Sequence, residues 1–97
     1  MILVEKGLSE SMKEVETYQL FKTDLCGFCY RVRGFAEEKG IALTLRDTMT
    51  DTEAFRELLQ GGGRTTVPCL KIQRGEEVTW MYESLDIIDY LSERTAP

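Results

Sequence analysis

From Thr17 onward, short runs in which apolar residues recur at every second position give way repeatedly to longer runs in which they recur every third or fourth. Residues 17–22, built around Tyr18-Gln-Leu-Phe21, read as a first strand. A helix is predicted from Cys26 to about Lys39, with Val32, Phe35 and Ala36 at helical spacing and Gly40 as its stop. Ile41, Leu43 and Leu45 then alternate against Ala42, Thr44 and Arg46, which predicts a second strand. Thr50-Asp-Thr-Glu53 resembles a capping box leading into a helix whose buried stripe would be Phe55, Leu58 and Leu59. Gly61-Gly-Gly63 ends that helix and opens a loop toward Val67-Pro68-Cys69-Leu-Lys-Ile72, a strand with proline at its start. Arg74-Gly75-Glu76 makes a turn, and Val78, Trp80 and Tyr82 alternate along the partner strand of a hairpin. A last helix starts at Glu83-Ser84 and would bury Leu85, Ile88 and Leu91.

The element order is βαβ followed by αββα. It predicts an α/β protein with a four-stranded mixed sheet flanked by helices on both faces, the thioredoxin-like arrangement. Residues 1–16, with their Ser-Glu-Ser-Met-Lys-Glu-Val-Glu stretch, are expected to form a helical or mobile extension, and residues 17–97 the domain.

Composition narrows the chemistry. A chain of 97 residues with 42% apolar content is one small globular domain. A net charge of −5 with scattered basic residues argues against nucleic acid as a partner. With no histidine, Ser-His and Cys-His hydrolase mechanisms and imidazole zinc sites are excluded. Three cysteines, an odd and low number, fit a reducing compartment better than a secreted disulfide scaffold. The opening Met-Ile-Leu-Val is too short an apolar run for a signal peptide or a membrane span. The expectation is a cytoplasmic protein with no membrane span.

The candidate chemistry is concentrated in Cys26-Gly27-Phe28-Cys29, at the junction of the first strand and the first helix. Unpaired N–H groups at a helix start favour a thiolate over a thiol, so Cys26 is the candidate nucleophile. Cys29, one turn further in, is the candidate resolving thiol, and the pair points to thiol–disulfide exchange. Half a zinc site is the bland alternative, but only Cys69 remains to complete it. Cys69 itself reads as a small buried residue at the start of the central strand, with a regulatory thiol as the minority reading. Pro68 at a strand start suggests a turn or a cis bond. Trp80 and Tyr82 read as core and surface cover.

Three motifs in order, Cys26-Gly-Phe-Cys29, Thr66-Val67-Pro68 and Tyr82-Glu83-Ser84 with Asp86-Ile-Ile-Asp-Tyr-Leu91, make residues 17–94 resemble the glutaredoxin family. The resemblance implies a cis proline facing the active cysteine, with Val67 pairing its backbone with the cysteinyl part of glutathione. Glu83-Ser84 is also similar to the pair that opens a helix in the N-terminal domain of glutathione transferases, where it holds the γ-glutamyl carboxylate. Phe28 stands where tyrosine is more frequent and would give glutathione an apolar wall, and Thr66 and Pro68 would complete that side.

The chain departs from the family pattern at several places. Gly27 replaces the usual proline, a loss associated in the family with forms that hold a [2Fe–2S] cluster between two subunits through the active cysteine, here Cys26, and two glutathiones. Thr23 occupies the place of the family's lysine, with Lys22 one residue further away, and Arg64 is displaced by one residue from the usual basic position. Lys22, Thr23 and Arg64 are therefore secondary candidates for glutathione contact. The implied function is a glutathione-dependent oxidoreductase, monomeric unless bridged by a cluster, acting on glutathionylated or disulfide-containing proteins. A cluster carrier and a glutathione-binding module are the alternatives.

Overall fold

Leu20 and Phe21 are neighbours on one strand and both are fully buried. Adjacent strand side chains point to opposite faces, so this strand has core on both sides. The computed structural model describes residues 16–95, and the extension expected over the first residues lies outside them, except for Glu16. The strands are β1 (Glu16–Lys22), β2 (Thr44–Asp47), β3 (Cys69–Arg74) and β4 (Glu77–Met81). They form one sheet in the order β2-β1-β3-β4, with β1 parallel to β2 and the other pairs antiparallel. The helices are α1 (Gly27–Lys39), α2 (Thr52–Glu57, continued by a π turn over Leu58–Gly62) and α3 (Ser84–Thr95). The four-stranded mixed sheet flanked by three helices is the predicted thioredoxin-like fold.

Two cores follow from the alternation along β1. Leu20 packs with Leu70, Ile72, Val32 of α1, and Ile87 and Leu91 of α3, so α1 and α3 cover one face. On the other face Phe21 packs with Cys69 and with Ala54 and Leu58 of the α2 segment. Each large side chain sealed this way contributes roughly 1.5–3 kcal/mol.

Several elements differ in detail from their predicted form. The second strand starts at Thr44, not Ile41, because the Ile41 N–H bonds to the Ala36 carbonyl 2.8 Å away and helps close α1. Gly40, at φ +73°, makes that left-handed turn. The cap of α2 is Asp51, whose carboxylate accepts from the Glu53 and Ala54 N–H groups, rather than Thr50. Its buried stripe is Ala54 and Leu58; Phe55 and Leu59 are exposed. The small Ala54 lets a helix of under two turns sit close to the sheet, and the side chains next to that stripe turn to solvent. In α3, Ile87 and Leu91 are buried one turn apart, which leaves Leu85 exposed on the first turn.

Glu16, assigned from sequence to the extension, is a hub joining three elements. Its carboxylate accepts hydrogen bonds from Tyr18 (2.7 Å) and Tyr90 (2.6 Å) and pairs with Arg74 and Arg94. Burial pushes its carboxyl up, but the bonds from Tyr90, Tyr18 and Arg74 and the Arg94 charge outweigh it and hold the pKa down at about 2. No helix among the described residues is long and apolar enough to cross a membrane.

Candidate functional site

The C-terminal end of β1 delivers the chain to the start of α1, and Cys26 occupies the N-cap with extended dihedrals, φ −100° and ψ 110°. Serine or aspartate usually fills such a cap with oxygen. Here sulfur does so, with the Cys29 N–H donating to Cys26 Sγ at 3.1 Å. No acidic residue lies in the first turn to offset the positive end of the helix. Cys26 is half-buried and Cys29 fully buried. Burial pushes the Cys29 thiol up to about 12, reinforced by its hydrogen bond to Cys26, while the Thr23 backbone and the Lys22 charge act in the opposite direction.

A second wall meets this sulfur. The Val67–Pro68 peptide bond is cis. The Cys26 thiol faces the Val67 carbonyl oxygen at 3.8 Å. A cleft of about 260 Å³ opens beside it, lined by Phe28 from α1, by Arg64, Thr66, Val67 and Pro68 from the loop before β3, and by Tyr82, Glu83 and Ser84 from the junction of β4 and α3. The Ile87 N–H bonds to the Glu83 carbonyl at 2.8 Å, so Glu83 occupies the cap position of α3 and Ser84 is its first residue. The cleft thus ends at the N-terminus of a helix, where free N–H groups favour a carboxylate.

The family model described as glutathione S-transferase, N-terminal domain, matches residues 25–94, which span the cysteine pair, the cis-proline loop and the helix that closes the cleft. The chain belongs to that family. Among solved structures it is similar to the maleylacetoacetate isomerase of Anaeromyxobacter dehalogenans, crystallised with dicarboxyethyl glutathione and citrate in its active site, at 23% identity and a TM-score of 0.65 over 84% of this chain and 38% of that one. It is similar to Leishmania TDR1, a trimeric glutathione transferase, at 30% identity and a TM-score of 0.68 over 84% of this chain and 18% of that one. A variant of the thioredoxin-like protein BC3987 aligns at 20% identity and a TM-score of 0.63, over 78% of this chain and 95% of that one. The chain thus spans about two fifths of the isomerase's length. None of the curated proteins matches it.

Within this glutathione S-transferase N-terminal domain, the secondary candidates separate. Arg64 lines the cleft. Lys22 is buried and bonded to Asp24 (2.8 Å) and Asp47 (3.2 Å), and those partners raise its pKa, with the Asp24 hydrogen bond the largest cause. Its charge is thereby committed to the loop after β1 and the end of β2. Thr23 accepts the Cys26 N–H with its carbonyl at 3.4 Å and so helps shape the turn before α1. Cys69 is fully buried beside Phe21 and Leu58, and burial pushes its thiol up to about 11 against the smaller, opposite influence of the neighbouring Tyr82 hydroxyl.

A larger depression of about 470 Å³ lies against α2, lined by Trp80 and by charged side chains that pair with one another, Glu57 with Lys71 and Glu53 with Arg56. No cysteine lines it, whereas the smaller cleft is lined by Val67, whose carbonyl meets the Cys26 sulfur. Tyr82 is the cleft residue that periodicity alone missed: it stands one position beyond β4 and turns its ring to the cleft loop. Its position directly before Glu83-Ser84 was the available signal.

Proposed function

We propose that this domain is a glutathione-dependent thiol–disulfide oxidoreductase that removes glutathione from protein mixed disulfides. The observation that carries the proposal is the position of Cys26 Sγ, between the Cys29 N–H and the Val67 carbonyl at the edge of the cleft. The family supports glutathione as the ligand, as does the isomerase, which holds a glutathione derivative in its active site. In this reading the γ-glutamyl carboxylate meets the α3 N-terminus at Glu83 and Ser84, and the cysteinyl backbone pairs with Val67. Phe28, Thr66 and Pro68 wall the tripeptide, with Arg64 beside them.

The Cys26 thiolate attacks the glutathione sulfur of the mixed disulfide. A Cys26–glutathione disulfide forms, and the substrate cysteine leaves as a thiolate that takes up a proton. A second glutathione thiolate attacks that adduct, regenerating the Cys26 thiolate and leaving as oxidised glutathione. Cys29 stays protonated during the first step because burial and the neighbouring Cys26 both disfavour its thiolate. With substrates that contain an internal disulfide, Cys29 gives up its proton after Cys26 is joined to the substrate, displaces it, and leaves a Cys26–Cys29 disulfide that glutathione reduces. Such chemistry belongs where reduced glutathione is abundant, as in the cytoplasm.

The share of the isomerase that this chain spans favours a second reading, a glutathione-binding module of a longer transferase. A [2Fe–2S] cluster fits one chain poorly. Cys29 and Cys69 are buried, and no group of three or more Cys, Asp or Glu among the described residues gathers to hold a metal. Cys26 would have to be joined by the Cys26 of a second copy and by two glutathiones.

Turnover of a glutathionylated peptide, coupled to glutathione reductase, distinguishes the readings. The oxidoreductase loses activity as Cys26→Ser and keeps it as Cys29→Ser. Glutathione binding without turnover in the intact protein would instead support the binding module.

A further inference from the structure

Residues 64–66 have no regular secondary structure, yet they lead into Val67, whose carbonyl meets the Cys26 sulfur. An irregular segment holds its place only when its backbone polar groups find partners elsewhere. For Arg64 both partners are one atom, the Tyr82 hydroxyl oxygen. It accepts the Arg64 N–H at 3.3 Å, and the hydroxyl donates to the Arg64 carbonyl at 2.9 Å. The Arg64 guanidinium also lies over the Tyr82 ring, 4.2 Å from its centroid.

The same hydroxyl is seated from below. A Cβ on Gly62 would stand 2.0 Å from Tyr82 Oη and 3.0 Å from Cζ, so the missing side chain of Gly62 leaves the room that the hydroxyl occupies. Gly61 does the same for Trp80, with a Cβ position 2.2 Å from Cζ2. The π turn over Leu58–Gly62 thus presents bare backbone to the two aromatic rings. Tyr82 is covalently joined to Glu83, so one residue ties the cis-proline wall of the cleft to the α3 wall.

We infer that Tyr82 is a positioning residue for the exchange site, its hydroxyl fixing the Arg64–Pro68 segment so that the Val67 backbone is held against Cys26 and its ligand. The functional consequence rests on the glutathione reading above; the clamp itself does not. Tyr82→Phe keeps the ring and removes the clamp. In the full chain, amide hydrogen exchange at Arg64 should accelerate about tenfold, as expected for loss of one or two neutral hydrogen bonds, while Leu70 in the adjacent strand stays unchanged. KM for a glutathionylated peptide should rise about tenfold, with kcat within about twofold, the signature of weakened positioning of bound ligand.

Gly62→Ala should raise KM in the parent protein, and less so in the Tyr82→Phe background, where the clashing oxygen is gone. Unchanged Arg64 exchange in Tyr82→Phe would overturn the clamp. Faster exchange with unchanged KM would overturn its role in positioning. A parent protein without turnover would remove the oxidoreductase reading, and glutathione affinity by calorimetry would then replace KM, with the same tenfold loss required.

Discussion

The Cys29 backbone N–H lies 3.1 Å from Cys26 Sγ, so the residue proposed to resolve the exchange also holds in place the sulfur proposed to attack. The two roles use different atoms: the amide steadies Cys26 from the start of α1, while the Cys29 thiol waits buried beneath it. Replacing the Cys29 side chain with serine leaves that amide untouched, which is why the two cysteines can be tested separately.

The three thiols should differ sharply in reactivity. Cys29 and Cys69 are buried and their thiols are pushed up to about 12 and about 11, whereas Cys26 is partly open to solvent. Iodoacetamide at neutral pH should modify Cys26 at least about tenfold faster than either of the others, and the difference should vanish in denaturant. Peptide mapping after timed alkylation measures this. Comparable native rates for Cys29 would contradict its burial.

Gly27 is the first residue of α1, a position that accepts proline, and a Cβ there meets nothing within 4 Å. Cys26 already has the extended backbone that a following proline requires. Gly27→Pro should therefore preserve the fold and add about 0.4–1 kcal/mol of stability by restricting the unfolded chain. A lower urea midpoint would show that this turn needs a conformation proline cannot adopt.

Much of this was legible locally, and the exceptions share a cause. The Cys26–Cys29 pair, the proline before β3 and the Glu83-Ser84 helix start are contiguous motifs; the structure lines one cleft with Pro68, Glu83 and Ser84, and sets the Cys26 sulfur against the carbonyl of Val67 in that lining. Phe55, Leu59 and Leu85 fit a core by spacing yet are exposed, because apolar spacing alone does not say which of two adjacent stripes faces the sheet. Ala54, too small to stand out, decides the first case. Glu16 looked like surface because its partners Arg74, Tyr90 and Arg94 are remote in sequence and no local pattern links them to it. Tyr82 was hidden in the same way, its hydroxyl meeting a backbone eighteen residues earlier.

Glu16 should make stability depend on acid. Its folded pKa of about 2 lies below the ordinary 4.5, so its contribution is fully present above pH 4.5 and is lost as the pH falls toward 2. The carboxylate is 7% exposed, and Glu16→Gln should cost on the order of 2–3 kcal/mol at neutral pH. Chemical denaturation across this range should show parent and variant converging as pH approaches 2. A constant difference would mean that shape, not charge, holds the hub together.

Ser84 follows the α3 cap rather than filling it, so its hydroxyl is free for the cleft. Ser84→Ala should raise KM for a glutathionylated peptide about three- to tenfold while changing stability by less than about 0.5 kcal/mol, against about 1 kcal/mol for a lost cap. A stability loss of that larger size with unchanged KM would assign Ser84 to the helix alone.

The most direct measurement is intact-protein mass spectrometry of Cys29→Ser after mixing with a glutathionylated peptide in the absence of free glutathione. The account predicts one glutathione adduct, mapped to Cys26, with an equal amount of peptide released as its thiol. It also predicts loss of the adduct when glutathione is added. Peptide left glutathionylated, or an adduct mapping to Cys69, would contradict the assignment of Cys26 as the nucleophile.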